Sequence, residues 1–370
     1  MEYNSTGMKW KGTLIGISVI SIVLCVQYIF TLQMQKNKKL QSRLSSIEQS
    51  VEQISLVDLV GQRFIWGITG TTLSSESVKL IATTHAGGVI LMGELTSDDI
   101  ATITAQIQSL PHSLPFIIAI DQEGGSVRRM IDDENPGGYR LGKMDDETFC
   151  STISQTSNKL AQAGINTNFG IVGDIGWSPN AYITNRTYAN TLESVLPKIA
   201  LAIRCSQPMR TTIKHFPGHG RTLLNSHLTI PTIQTPFDEW MVTDARPFIE
   251  SIKQGIDLIM FGHLRYESIA SEPASLSPFF HTFITNAGFT GLTITDDVGM
   301  LEHSNLDPIQ TMKQAFDAGN DIILDVTSKE NPYRLFQEAL LYATSSSQIY
   351  TSFQQHYYHI QTFKNLRLTN

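Results

Sequence analysis

Residues 116–121 read FIIAID, a short apolar run that ends in an acid. Such a run is typical of a buried strand whose last residue lies at the edge of a sheet. Other short apolar runs are spaced along the chain, and longer amphipathic segments separate several of them, for example 99–110, 191–205 and 308–318. The candidate strands are 63–68, 87–92, 116–121, 165–170, 211–216, 258–264, 291–297 and 321–326.

This alternation of short buried strands with helices predicts an α/β protein with a parallel sheet. Eight strand candidates favour a (β/α)8 barrel of the TIM type over an open doubly wound sheet. Neither GxGxxG nor GxxxxGK[ST] follows the first run, which argues against a nucleotide-binding protein.

The ends of the runs carry chemically reactive groups. In a barrel of this type the carboxyl ends of the strands form the active-site face, so these groups are expected to converge there. Their concentration at strand ends favours an enzyme over a structural protein. The residues are Asp121, Lys214, His215, His263, Asp296 and Asp325.

Composition narrows the class of protein further. The chain has 370 residues, of which 41% are hydrophobic and 16% charged, so it can form a large core. Its net charge of −7 is spread out without a basic stripe, which argues against nucleic acid as a partner. Cys25, Cys150 and Cys205 lie far apart without CxxC spacing, so we expect neither a zinc–cysteine site nor a disulfide framework.

The amino terminus predicts a membrane anchor. Residues 12–34 contain no charge and are long enough to cross a bilayer, and lysines flank them on both sides. No small-x-small exit follows, unlike a cleaved signal peptide. We expect a short cytoplasmic tail (1–11) and an extracytoplasmic catalytic domain (55–370), with a buried core helix as the alternative for the apolar segment.

A helical stalk is predicted between the anchor and the domain, over residues 35–54. This stretch is a coiled coil or packs on the domain, so the oligomeric state stays open. Its apolar stripe consists of Leu40, Leu44, Ile47, Val51 and Ile54.

Three motifs carry a family resemblance that runs from about Ser55 to the carboxyl terminus. DQEGGSVRR (121–129), KHFPGHGRTLLNSH (214–227) and ITDDVGM (294–300) resemble the family 3 glycoside hydrolases, and more closely their bacterial β-N-acetylglucosaminidase branch. Supporting stretches are 86–92, 168–175, 260–267 and 272–278.

The resemblance implies a retaining mechanism on a GlcNAc-containing carbohydrate. It implies that Asp296 is the nucleophile and that His227, on a mobile loop, is the general acid/base. Supporting roles fall to Asp174, His219 and His263. Sugar contacts are implied for Asp121, Arg129, Arg186, Lys214 and His215.

These assignments suit the chemistry. Retaining hydrolysis needs an ionised carboxylate and a proton donor. Cations such as Lys214 or Arg129 are expected to hold the pKa of Asp296 low, and Asp297 is expected to cap a helix or support the site. Arg129 has an alternative as an ion-pair partner of Glu123.

A metal site in the histidine-rich loop is not favoured. His215, His219 and His227 lack the i, i+4 spacing of HExxH, and no neighbouring acid or cysteine completes a ligand set. We expect His215 to contact sugar and His219 to order the loop by a hydrogen bond, and we expect no cofactor.

Asn225 departs from the family, which has aspartate there to orient the histidine. The family usually has aspartate at Arg221 as well. Asparagine accepts a hydrogen bond but supplies no charge, and Arg221, if close, would lower the pKa of His227 further. The general acid is therefore expected to be weaker at neutral pH.

Three functions follow from this departure. The first is an active but slower or more acid-preferring β-N-acetylglucosaminidase that acts on peptidoglycan fragments or related glycosides. The second is a β-glucosidase-like hydrolase or a glycoside phosphorylase, and the third is a membrane-tethered glycan-binding protein. Retention of Asp296 and His227 together favours an enzyme, because a binding protein needs neither nucleophile nor acid.

Overall fold

The computed structural model describes residues 54–177, 181–226 and 228–368, together with 31, 33–35 and 38. The chain divides into two units after residue 53, and every element below belongs to the second. Apart from those isolated positions and Ile54, the predicted tail, anchor and stalk (1–11, 12–34 and 35–54) lie outside the described residues. No helix among the described residues is long and apolar enough to span a bilayer.

Eight parallel strands form the centre of the domain in the order β8-β1-β2-β3-β4-β5-β6-β7. A parallel bridge between Ile294 and Ile322 joins the two outer strands and brings the sheet round into a barrel. The predicted TIM-type α/β architecture is therefore confirmed. The strands are β1 (Phe64–Thr69), β2 (Gly88–Met92), β3 (Ile117–Ile120), β4 (Thr167–Val172), β5 (Arg210–Phe216), β6 (Leu258–Phe261), β7 (Leu292–Thr295) and β8 (Ile323–Asp325).

Helices follow the strands, and polar caps define where several of them begin. Thr96 and Asp99 form a reciprocal capping box, and the Asp145 and Thr191 side chains each accept a free N–H group in the first turn of their helices. The α-helices are α1 (Leu56–Gly61), α2 (Ser75–Thr84), α3 (Ser97–Gln108), α4 (Gly138–Leu141), α5 (Asp146–Gln162), α6 (Ala181–Thr184), α7 (Leu192–Cys205), α8 (Phe237–Val242), α9 (Arg246–Lys253), α10 (Pro278–Asn286), α11 (Pro308–Ala318), α12 (Pro332–Ala343) and α13 (Ser347–Arg367).

Shorter elements complete the carboxyl-terminal half of the domain. Turns of 3-10 helix span Ala274–Leu276 and Val298–Ser304, and a small parallel pair joins Thr232–Ile233 to Arg265–Tyr266. Because the pair links the loops after β5 and β6, it ties the histidine-rich loop to its neighbour.

The opposite end of the barrel is closed by α13. Ile360 and Phe363 pack into the apolar interior of the barrel. The Lys364 amino group is fully buried there and donates to Gln62 Oε1 at 2.7 Å and to the Gly87 carbonyl at 2.6 Å. This closure leaves the carboxyl ends of the strands as the open face.

A disulfide joins Cys150 in α5 to Cys205 at the end of α7. The expectation that the cysteines form no disulfide was wrong in this respect. The two residues are 55 positions apart, so their spacing gave no sign of pairing, but α5 and α7 pack side by side and bring their Cα atoms to 5.4 Å.

Candidate active site

A cavity of about 160 Å³ opens at the carboxyl ends of the strands. It brings together every residue for which a sugar contact was predicted, and the predicted nucleophile. Its walls are lined by Ile90, Met92, Asp121, Glu123, Val127, Arg129, Arg186, Lys214, His215, Met260, Asp296, Asp297, Met300, Leu324, Val326 and Thr327.

Lys214 is the central cation of the cavity. It stands near the end of β5, is 3% exposed, and places its Nζ 2.7 Å from both Asp121 Oδ1 and Glu123 Oε1. Burial alone would lower the pKa of Lys214, but the two carboxylates raise it above its usual value. The lysine is therefore a permanent cation that holds both acids in place.

Glu123 is the second acid of this cluster, and Arg186 is its main partner. Arg186 donates from Nε to Glu123 Oε2 at 2.8 Å and from Nη2 to Oε1 at 2.7 Å. Burial would raise the pKa of Glu123, yet Arg186 and Lys214 hold it well below its usual range. The alternative pairing of Arg129 with Glu123 is wrong, because Arg186 occupies that carboxylate.

Arg129 turns instead towards the other acid of the cluster. Its Nη2 lies 4.0 Å from Asp121 Oδ2, and its side chain is partly exposed at the wall of the cavity. The pair is loose, so the guanidinium can also reach a ligand that enters the cavity.

His215 lies between Asp174 and Arg186. Its Nδ1 is 2.7 Å from Asp174 Oδ2, and its Nε2 is 3.2 Å from Arg186 Nη2. Since a guanidinium can only donate, Nε2 accepts and Nδ1 donates to the carboxylate, which assigns the tautomer. Asp174 is buried, and although burial would raise its pKa, His215 and His219 lower it.

Asp296 lies directly after β7 and lines the cavity. Its Oδ1 accepts the backbone N–H of Asp297 at 2.8 Å, and its own N–H donates to the Phe261 carbonyl at 2.8 Å. Burial would raise the pKa of Asp296, but the imidazoles of His215 and His263 and the nearby ammonium lower it to about 2. The carboxylate is therefore ionised at neutral pH, and Lys214 is one of the groups that lower its pKa, as expected.

Asp297 caps the next turn, as predicted. Its side chain accepts from the N–H groups of Gly299 at 3.1 Å and Val326 at 2.9 Å. Behind it, His263 is buried between Ser275 Oγ at 2.7 Å and the Asp297 carbonyl at 2.8 Å. His263 does not line the cavity, and it acts by holding the backbone that carries Asp296.

The histidine-rich loop is held at its base by His219. Its N–H donates to Asp174 Oδ1 at 2.6 Å, and its Nε2 lies 3.0 Å from Ser226 Oγ. Burial and the neighbouring His215 lower the pKa of His219 to about 4, so it is neutral at physiological pH. Asn225 is half-buried on this loop. His227, the predicted general acid, lies outside the described residues.

Arg221 does not add net positive charge to the loop. Its Nε donates to Asp244 Oδ2 at 2.6 Å, and its Nη1 lies 2.8 Å from Glu239 Oε1. The guanidinium also lies over the Trp177 ring, at 5.3 Å from its centroid. Two acids therefore compensate the charge of Arg221, whereas its expected effect on the pKa of His227 concerns a residue outside the described part of the chain and stays a prediction.

Two residues differ from the expectations drawn from the sequence. Glu123 is a central member of the acid–base cluster, and its only sequence signal was its place two residues after a strand-end acid. Asp325, which also ends a strand, does not line the cavity; burial and the like charge of Asp297 raise its pKa to about 7.

The fold and site define a class of protein: a TIM-barrel enzyme whose ionised carboxylate and cluster of acids and cations face a polar substrate. The sequence model of the glycosyl hydrolase family 3 N terminal domain matches residues 46–360. The chain belongs to glycoside hydrolase family 3.

Relatives of the chain carry consistent names. A beta-hexosaminidase from Neisseria gonorrhoeae is 30% identical over 275 residues, which cover 70% of this chain and 76% of the relative. The beta-hexosaminidase A of Pseudoalteromonas piscicida is 30% identical over 286 residues, covering 69% of this chain and 48% of its own.

A solved family 3 beta-N-acetylglucosaminidase from a Paenibacillus species superimposes with a TM-score of 0.77 at 28% identity. The match covers 85% of this chain and 63% of that one, so the chain spans less than two thirds of the solved relative.

Proposed function

We propose that the protein is a retaining exo-β-N-acetylglucosaminidase that releases terminal β-linked GlcNAc from peptidoglycan fragments or related glycosides. The observation that carries the proposal is Asp296, an acid with a pKa near 2 that faces a cavity lined by Lys214, Arg186 and Asp121. The beta-hexosaminidase names of the relatives support the choice of sugar.

Substrate binding places the terminal sugar in the cavity. Asp121 accepts hydrogen bonds from sugar hydroxyls, while Arg129, Arg186, Lys214 and His215 surround the ring. Because Lys214 and Arg186 already compensate the buried acids, a neutral sugar enters without leaving a charge unpaired.

The first chemical step forms a covalent glycosyl-enzyme. A carboxylate oxygen of Asp296 attacks the anomeric carbon, the bond to the leaving oxygen breaks, and His227 gives that oxygen a proton. The second step reverses the roles: His227 takes a proton from water, the hydroxide forms a bond to the anomeric carbon, and Asp296 leaves. Two inversions give net retention.

Asn225 makes this proton donor weaker than an aspartate at the same position would. Its carbonyl oxygen can orient the imidazole, but a neutral amide does not stabilise the imidazolium. We therefore propose an enzyme that is active but slower and prefers a more acidic pH.

The domain is proposed to work outside the cytoplasm, tethered by residues 12–34. The disulfide between Cys150 and Cys205 supports this placement, because disulfides persist in oxidising compartments and are rare in the cytosol.

Hydrolysis of an aryl β-GlcNAc by the full chain and by Asp296→Asn tests the proposal. The isosteric change removes the nucleophile, so we expect turnover in the natural protein and a loss of at least about 10³-fold in the variant. Added phosphate should yield no sugar phosphate, in contrast to a phosphorylase. A natural protein that binds GlcNAc without turnover would indicate a glycan-binding protein.

A further inference from the structure

A groove beside the active site has no part in the chemistry described above. It encloses about 540 Å³, within the roughly 300–1,000 Å³ usual for ligand pockets. Tyr139 and Trp177 contribute rings to it that are 44% and 38% exposed. Further lining residues include Lys143, Thr184, Tyr188 and Asn190.

The groove adjoins the active-site cavity on one side. Arg186 lines the cavity, and Thr187 and Tyr188, which follow it directly, line the groove. Tyr188 is buried, and besides burial the charge of Glu123 raises its pKa, so its phenol stands near the acid that Arg186 holds. The stretch 186–188 therefore contributes side chains to both the cavity and the groove.

On its other side the groove adjoins the loop of the general acid. The Trp177 indole N–H donates to Asp244 Oδ1 at 2.9 Å, and the other oxygen of Asp244 accepts from Arg221 on that loop. Asp244 therefore connects Trp177 in the groove to Arg221 on the loop after β5.

The chemistry of the groove suits a sugar. A pyranose has an apolar C–H face and an edge of hydroxyls, which match an aromatic face with polar neighbours. Here the rings of Tyr139 and Trp177 lie among Asn190, Thr184 and Lys143, whose ammonium is 3.9 Å from the Tyr139 ring centroid. A groove for an amphipathic peptide helix would present a continuous apolar surface instead.

We propose that this groove binds a sugar of the leaving group, while the terminal GlcNAc occupies the cavity. The inference rests on the proposed function for the position of the terminal sugar. Tyr139 and Trp177 would stack on the bound sugar, and Lys143 and Asn190 would hydrogen-bond to its hydroxyls.

The test compares two substrates of the full chain: chitotriose and methyl β-GlcNAc, which has a similarly basic leaving group without its sugar. In Tyr139→Ala, the ratio of kcat/KM for chitotriose to that for methyl β-GlcNAc should fall about 2- to 10-fold. The matched control Phe279→Ala removes a ring that is 41% exposed and does not line the groove, so its ratio should stay within about twofold of the natural protein. An unchanged ratio in Tyr139→Ala overturns the proposal.

Tryptophan fluorescence separates this proposal from the hydrolase proposal. Among the tryptophans of the described residues, Trp177 is partly exposed, whereas Trp66 and Trp240 are buried; the fourth, Trp10, precedes the predicted anchor. Chitotriose should therefore change the emission of the full chain, and Trp177→Phe should remove that change. If chitotriose produces the Trp177-dependent change but no GlcNAc is released, the hydrolase proposal fails and the groove proposal stands. Hydrolysis of chitotriose without that change, and with an unaltered ratio in Tyr139→Ala, overturns the groove proposal alone.

Discussion

At the scale of single residues, the proposed mechanism makes the strength of its proton donor, His227, depend on position 225. An aspartate there would stabilise the imidazolium of His227 and raise its pKa. The first step needs the protonated imidazole, so a higher pKa keeps the acid active at higher pH.

We therefore predict that Asn225→Asp shifts the alkaline limb of the pH–rate profile upward by about one unit and raises kcat/KM near pH 7 by roughly tenfold. Aryl β-GlcNAc hydrolysis between pH 4 and 8 measures both effects. Asn225→Ala is the matched control and should lower activity without moving the limb upward. An unmoved alkaline limb in Asn225→Asp would show that this side chain does not act on the histidine.

His227 itself makes a second prediction at this scale. His227→Ala should slow hydrolysis of alkyl glycosides by roughly 10²–10⁴-fold, and hydrolysis of activated aryl glycosides much less, because a good leaving group needs no proton. A series of leaving groups of graded acidity measures this dependence. Equal slowing across the series would contradict the acid role.

At the scale of elements, the loop after β5 is fastened to α8 and to the start of α9. Arg221 reaches Glu239 in α8 and Asp244 just after it, and Thr243 Oγ1 accepts a further bond from Nη2 at 3.1 Å. Asp244 is 2% exposed, so it depends on its partners: burial raises its pKa while Arg221 lowers it. Arg221 therefore acts as a clamp between the loop after β5 and this segment.

We predict that Arg221→Ala lowers the free energy of unfolding by about 1–2 kcal/mol and reduces kcat, because Asp244 loses its cation and the loop its fastening. Arg246→Ala is the control, since it removes a partly exposed i, i+4 pair with Glu250 and should cost under about 0.5 kcal/mol. Urea unfolding and steady-state kinetics measure the two effects. If Arg221→Ala behaves like the control, the clamp has no role in ordering the loop.

At the scale of the whole molecule, the closed end of the barrel contains a fully buried amine, that of Lys364. Burial lowers the pKa of Lys364 from its ordinary 10.5 to about 7. Between pH 7 and pH 10.5 the Lys364 amine is protonated in the unfolded chain but neutral in the folded one. Its contribution therefore makes the free energy of unfolding rise with pH from about 7 to about 10.5, and it destabilises the fold most below pH 7.

The variant Lys364→Met should remove that dependence. The stability of the natural protein relative to Lys364→Met should increase by roughly 3–5 kcal/mol between pH 7 and pH 10. The comparison with Lys364→Met is needed because His359 also titrates over this range. Asp321 raises the pKa of His359 to about 9 against the effect of burial, so the contribution of His359 to the stability of the protein falls as the pH rises. Lys253→Met, at an exposed lysine, is the control; a flat difference for Lys364→Met would contradict a neutral buried amine.

Much of the fold and part of the site could be predicted from local patterns. Runs such as 116–121 and 291–297 mark buried strands, and an acid after each strand must lie at the carboxyl edge of a parallel barrel. Asp121, Lys214 and Asp296 therefore converge as expected. What the patterns could not supply is the choice of partner among several charges, as for Arg129 and Arg186 with Glu123.

The sequence by itself determined the barrel, its reactive face and the identity of the groups on it, because strand period, strand count and strand-end residues are local properties of the chain. Tertiary structure alone decided which charges pair, that Cys150 meets Cys205, and that Arg221 is neutralised by Asp244. Each of these contacts joins residues more than 20 positions apart in the chain. Electrostatic attraction and close packing depend on distance in space, which local sequence patterns do not give. Asn225 shows the same distinction. The sequence alone shows that its side chain is neutral, whereas the balance of charge around its loop depends on the fold.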